Sequence, residues 1–145
     1  MKDDQSRRPG VADYPLAEKR PEWVMTARGK ALGNLTLAAV EAGEVTLEDL
    51  RITPRALLDQ AQISRDAGRQ TLARNFERAA ELVDVPQHLV LEIYELLRPG
   101  RASDKAALLQ AASTLRATYG AERMAAFIEE AAEVYERRGL FSYRF

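Results

Sequence analysis

TPRALLDQAQISRDAGRQTLARNFERAAELV, residues 53–83, sets the fold class of this chain. Thr53 is an N-cap residue, and Pro54 follows at the first helical position, where its missing amide hydrogen leaves nothing unsatisfied. Behind them Leu57, Ala61, Gly68, Leu72, Phe76, Ala79, Ala80 and Val83 recur at mostly three- and four-residue steps, the spacing of one helix face. The pattern predicts one long helix from Pro54 to about Val83, apolar and partly small along one side.

The segments on either side read the same way. Pro86 fits the first turn of a helix carrying Leu89, Ile93, Leu96 and Leu97 on one side, and Pro99-Gly100 closes it. Ser103 is the expected cap of the next helix, which bears Leu108, Ala112, Leu115 and Tyr119 and ends at Gly120, a residue suited to a left-handed turn. The last helix carries Met124, Phe127, Ile128, Ala131, Val134 and Tyr135 before Gly139. Upstream, Thr36 opens a short helix that stops at Gly43, and Thr46 with Asp49 has capping-box spacing, Asp standing where Glu or Gln is usual.

From Ala12 to Gly33 the reading is irregular, because Pro15 and Pro21 each lack an amide donor and push the preceding residue toward extended geometry. Met1 to Val11 is polar, contains Pro9 and Gly10 and has no apolar period, so residues 1–12 are expected to be a disordered tail. No alternating strand pattern and no repeat appears. The expected fold is therefore all-α, a single helical domain over residues 13–145 with an irregular N-terminal arm.

Composition limits what such a domain can do. At 145 residues, 46% hydrophobic and 30% charged, the chain has the mix of a soluble globular protein, and a formal net charge of -1 gives no basic field for a nucleic-acid backbone. The absence of cysteine removes disulfides, thiolate nucleophiles and thiolate metal sites. The charged N-terminus lacks a signal-peptide core, and no stretch approaches the roughly 20 apolar residues that span a bilayer. A cytoplasmic protein bound neither to nucleic acid nor to a membrane is expected.

A search for chemistry returns little. His88 is the lone histidine; it stands in a first turn near Asp84 and reads as structural or exposed. There is no glycine-rich phosphate loop. Glu129 and Glu133, flanked by Arg123, Arg137 and Arg138, read as a solvated helix face, and a carboxylate-bridged metal pair lacks its histidines. No catalytic, cofactor-binding or metal-ligating residue is assigned.

Two segments read instead as candidate interfaces. In Asp66 to Arg78, arginines interleave with Gly68 and Phe76: Arg65, Arg69, Asp66 and Glu77 can be ordinary surface charges, or Gly68 can let a partner backbone approach while Arg69, Arg74, Asn75 and Arg78 supply forked donors, with Phe76 among them. In the arm, Tyr14, Pro15 and Trp23 can cover the chain's own core or anchor a partner, since aromatics bury much area at little entropic cost. The aromatic C-terminus, Leu140 to Phe145, is expected to dock on a neighbour or on the core rather than stand free.

These segments resemble the small, or gamma, subunit of the coenzyme B12-dependent diol and glycerol dehydratases. The residues that carry the resemblance are Asp13-Tyr14-Pro15-Leu16-Ala17 with Pro21-Glu22-Trp23-Val24, Arg51-Ile52-Thr53-Pro54, Asp66-Ala67-Gly68-Arg69, Asn75-Phe76-Glu77-Arg78-Ala79-Ala80-Glu81-Leu82, and Leu91-Glu92-Ile93-Tyr94 with Leu97-Arg98-Pro99. They span Asp13 to about Pro99 in the family's order, and the helical pattern to Arg138 is similar to the family's C-terminal part.

The resemblance implies a heterohexamer of two large, two medium and two small subunits. It implies that the large subunit holds the substrate and that adenosylcobalamin sits between large and medium subunits. There an adenosyl radical would abstract hydrogen from a 1,2-diol or glycerol, leading to an aldehyde and water. It places no chemistry on the small subunit, which agrees with the empty search above. This chain is then expected to bind no cofactor and to stabilise the assembled lyase by docking on the large subunit through its arm and the arginine-rich part of its long helix. Some family members carry a longer N-terminal extension resembling a signal for packaging into a bacterial microcompartment. Lys2 to Arg8 has no apolar face, so no such signal is expected here, although another subunit can carry one. A free-standing all-α adaptor or regulator is the alternative reading.

Overall fold

The computed structural model describes residues 7–141. The chain is all-α, as the periodicity predicts; among the described residues the one strand-like feature is an isolated antiparallel bridge between Met25 and Ala31. It divides into two compact units, residues 1–80 and 81–145.

The first unit holds the short helices α1 (Leu16–Lys19), α2 (Leu37–Glu41) and α3 (Leu47–Leu50), then α4 (Pro54–Asp66) and α5 (Gln70–Leu82), whose last two residues lie past the division. Single 3-10 turns occupy Val11–Asp13, Pro21–Trp23 and Leu32–Asn34. Three starts follow the sequence signals. The Thr36 hydroxyl accepts from Ala39 N at 3.2 Å and the Thr53 hydroxyl from Ala56 N at 3.1 Å, while Thr46 and Asp49 cap α3 reciprocally.

The single helix expected from Pro54 to Val83 is in fact two. Gly68 N donates to Arg65 O at 3.0 Å and Arg69 N to Ser64 O at 2.8 Å, the paired bonds of a Schellman stop, with Gly68 in the left-handed region at φ 75°. The apolar period runs on across the glycine, so spacing alone misses a break that is a backbone event. Arg65 pairs with Glu77 and so joins α4 to α5 across the stop. A Cβ on Gly68 would meet nothing within 4 Å, so Gly68→Ala carries only the left-handed backbone strain. We expect it to lower stability by about 1–2 kcal/mol, read as a fall in the urea midpoint with unchanged slope. An unchanged midpoint would mean that the stop does not depend on this conformation.

The interior of the first unit is mixed: Leu16, Val45, Leu57, Ala61, Ile63 and Ala73 are buried together with Thr26, Asp49, Asp59 and Ser64. Asp59 and Asp66 stand about two turns apart on α4, and both reach the segment before α1. Arg7 Nη2 donates to Asp59 Oδ2 at 2.6 Å, and Val11 N donates to Asp66 Oδ2 at 2.8 Å. The expectation of a disordered tail is therefore corrected for residues 7–12, where Pro9 is buried and Lys19 Nζ donates to Ala12 O at 3.2 Å. The segment has no apolar period, but its guanidinium and amides meet carboxylates. Residues 1–6 of the expected tail lie outside the described residues.

The second unit consists of α6 (Gln87–Leu97), α7 (Lys105–Tyr119) and α8 (Glu122–Arg137). Leu108, Leu115 and Ile128 are fully buried, among Ile93, Met124 and the alanines Ala112, Ala125 and Ala132. Small residues on both facing helices let α7 and α8 approach closely. Gly120, at φ 63°, turns one into the other. The cap of α7 is Asp104, which accepts from Ala107 N at 2.9 Å, rather than Ser103; both can cap, and the neighbouring carboxylate takes the position. Ala121 offers α8 no side-chain cap, and Glu81 supplies one from a distance, accepting from Arg123 N at 3.1 Å and Met124 N at 2.8 Å.

Glu129 and Glu133 do not form a merely solvated face. Arg116 of α7 grips Glu129 through two bonds of 2.6 and 2.9 Å, and Lys105 lies 2.7 Å from both Glu133 and Glu136. The Arg116 guanidinium holds the Glu129 carboxyl below its ordinary range. Phe141 meets Tyr135 edge-on at 6.2 Å, so the part of the C-terminus that is described docks on its own unit. Residues 142–145 lie outside the described residues.

Candidate subunit interface

The residues singled out from the sequence fall on two elements. On the arm, Tyr14 is exposed, Pro15 is half-buried where α1 begins, and Trp23 is half-buried. The indole is used by its own chain: the Arg7 and Arg20 guanidinium carbons lie 5.2 and 5.1 Å from the ring centroid, and Arg7 also donates to Trp23 O at 3.2 Å. Arg20 is fixed in turn by Asp13 at 2.7 Å. A hydrogen bond from the Gly10 amide, and then the one from Arg20, hold the Asp13 carboxyl below the usual carboxylate range. Trp23 therefore fastens the arm, and Tyr14 is the aromatic that faces outward.

At the stop between α4 and α5, and along α5, Arg69, Arg74 and Asn75 are exposed. Arg78 is half-buried and donates to Asn75 Oδ1 one turn earlier, while Phe76 is half-buried on the side of the fully buried Ala73. Phe76 thus lies with the interior, and the exposed guanidiniums form the outward face. His88 is exposed at the start of α6. Among the described residues no group of three or more His, Asp or Glu side chains is placed to hold a metal ion, and no helix is long and apolar enough to cross a membrane.

The sequence reading passed over a further set of exposed side chains. Leu37 and Val40 on α2, Leu47 and Leu50 on α3, and Ile52 after it all face solvent. The inner side of α3 carries Asp49 instead, which accepts from Thr46 N at 3.0 Å, Thr26 Oγ1 at 3.0 Å and Arg28 Nη1 at 2.9 Å. The Thr46 amide first, then the Thr26 hydroxyl and Arg28, hold its carboxyl below the ordinary range, so the inward group is a carboxylate. The signal was present in the capping-box spacing: an Asp49 side chain turned back to the helix start leaves the leucines at 47 and 50 on the other side. Beside α2 an open groove of about 630 Å3 is lined by Lys30, Asn34, Thr36 and the small residues Ala38, Ala39 and Ala42. Leu91 and Tyr94 on α6 are likewise exposed.

Comparison with known proteins identifies the family. A family model described as dehydratase small subunit matches residues 10–142. The chain is 53% identical over 133 residues to a propanediol dehydratase small subunit of Salmonella typhimurium, covering 92% of this chain and 76% of that one. It is also 53% identical over 128 residues to a protein of the same description from Citrobacter freundii, covering 88% of this chain and 74% of the relative.

Proposed function

The chain belongs to the dehydratase small-subunit family, and from that membership we propose that it is the non-catalytic small subunit of an adenosylcobalamin-dependent diol dehydratase, a cytoplasmic lyase. The observation that carries the reading is 53% identity, along 92% of the chain, to a relative named propanediol dehydratase small subunit. That name favours propanediol over glycerol as the substrate of the assembled enzyme. In this reading two copies of the chain join two large and two medium subunits, and its part is to stabilise the assembly. Tyr14 and Pro15 of the arm, with Arg69, Arg74, Asn75 and Arg78, supply contacts to the large subunit.

In this proposal the cofactor is seated outside this chain. The groove beside α2 supports this: it is open and bordered by lysine, glutamate and small side chains, which offers neither enclosure for a corrin ring nor an imidazole for its metal. The proposal therefore puts substrate, cofactor and the chemical steps on the other subunits.

Affinity purification of the tagged chain from its own host, grown on a diol, tests the reading. Recovery of large and medium dehydratase subunits in equal amounts is expected, with the yield reduced for Arg69→Glu/Arg74→Glu. Recovery of the chain alone, or with unrelated proteins, would replace the proposal by the adaptor reading.

A further inference from the structure

Helix α3 is turned inside out. Asp49 on it and Val45 just before it are buried at 3% and 4% exposure, whereas Leu47 and Leu50 stand 82% and 62% exposed. Helices at a protein surface ordinarily place leucine inward and carboxylate outward. Here the carboxylate is fully partnered inside by Thr26, Arg28 and the Thr46 amide, so the orientation is fixed by the chain's own hydrogen bonds. Leu37, at 75% exposure, and Val40 on α2, with Ile52 after α3, add to the exposed apolar surface.

From this inversion we infer that the outward face of α2 and α3, carried by Leu37, Val40, Leu47, Leu50 and Ile52, is a principal docking surface for another dehydratase subunit. That subunit meets it with an apolar surface rimmed by lysine or arginine. The inference rests on the reading of the chain as a dehydratase small subunit and adds to it a surface and the chemistry of its partner.

Charge identifies the occupant. Exposed Glu41, Glu44 and Glu48 border the leucines. Of the nearby cations, Arg51 pairs with Glu48 at 3.5 Å and Arg28 with Asp49 at 2.9 Å, while Lys30, held on the Glu44 carbonyl, offsets one of the two remaining carboxylates, Glu41 and Glu44. A second copy in two-fold contact would set these carboxylates against their own counterparts, and an anionic lipid surface would be repelled by them. A basic-rimmed apolar partner satisfies both the leucines and the glutamates, the rim governing the rate of encounter and the leucines the lifetime.

The test uses the large and medium subunits purified together without the small chain, with binding of the wild-type small subunit measured first. Leu47→Asp/Leu50→Asp is expected to raise the dissociation constant at least about 100-fold, while far-UV circular dichroism and thermal midpoint stay near wild type. Leu47→Ala/Leu50→Ala, which keeps helix propensity, is expected to raise it about tenfold. Glu41→Lys/Glu44→Lys should slow association about tenfold at low salt and leave dissociation nearly unchanged. Wild-type affinity in both leucine variants overturns the surface, and unslowed association in the glutamate variant overturns the basic rim. A wild-type chain that is dimeric alone, and monomeric once the leucines are replaced, assigns the surface to a second copy and overturns the inference. If the wild-type chain does not bind the dehydratase subunits at all, it is the functional reading that has failed.

Discussion

Leu115→Ala is expected to lower the stability of the second unit by about 3–4 kcal/mol. Leu115 is fully buried and belongs to the cluster that also holds Leu108, Ile128, Ala112 and Ala125. That cluster is rich in alanines, which have no rotamers with which to fill the space the leucine leaves. The cavity cost therefore adds to the lost transfer energy instead of being relaxed away. The ion pairs between α7 and α8 do not rescue the variant, since Arg116 and Lys105 bridge the exposed sides of the helices, where each pair contributes little. Leu115→Met, close in volume, should cost under about 1.5 kcal/mol. Urea unfolding followed by circular dichroism would measure both; equal midpoints for the alanine variant and wild type would show that the packing of α7 on α8 is not what holds the unit together.

That core was legible in the sequence, since Leu108, Ala112, Leu115 and Ile128 all sit on spacings that only a helix satisfies. The helix starts at Thr36, Thr53 and the Thr46–Asp49 pair were legible for the same reason, each being a local match of a side-chain acceptor to amides one turn on. What could not be read was tertiary. Periodicity gives a helix a face without saying which way it points, and a four-residue helix such as α3 is too short for its spacing to mark one face as inward. The capping-box spacing sets Asp49 and the leucines on different sides, but which side faces inward is decided by Thr26 and Arg28, which lie 23 and 21 residues away. Ser103 and Asp104 were an even choice by residue type. Glu81 capping α8 is a pairing across 42 and 43 residues that no local pattern encodes.

Asp59→Ala is expected to destabilise the first unit by about 3 kcal/mol and to free residues 7–13 from α4. Asp59, its side chain 5% exposed, takes Arg7 at 2.6 Å and Arg55 at 3.0 Å. Removing it takes the carboxylate from both guanidiniums, and Arg7 Nε already lacks a hydrogen-bond partner among the described residues. Those guanidiniums retain 18% and 30% exposure, so water recovers part of the loss and the effect falls at the low end for a broken buried pair. Arg7→Ala should cost less than half as much, because Asp59 keeps Arg55. The double variant Arg7→Ala/Asp59→Ala should fall short of the sum of the singles, the mark of a shared interaction. Trp23 is the single tryptophan of the chain and lies beside Arg7, so its fluorescence reports directly on the fastening of the arm. In Asp59→Ala that fluorescence should change in native buffer and the Val11 amide should exchange faster, because its bond to Asp66 depends on the same segment being held. Unchanged fluorescence and exchange would mean that Asp66 and Pro9 hold the segment without Asp59. In that case the cost of the substitution, if any, would belong to α4 alone.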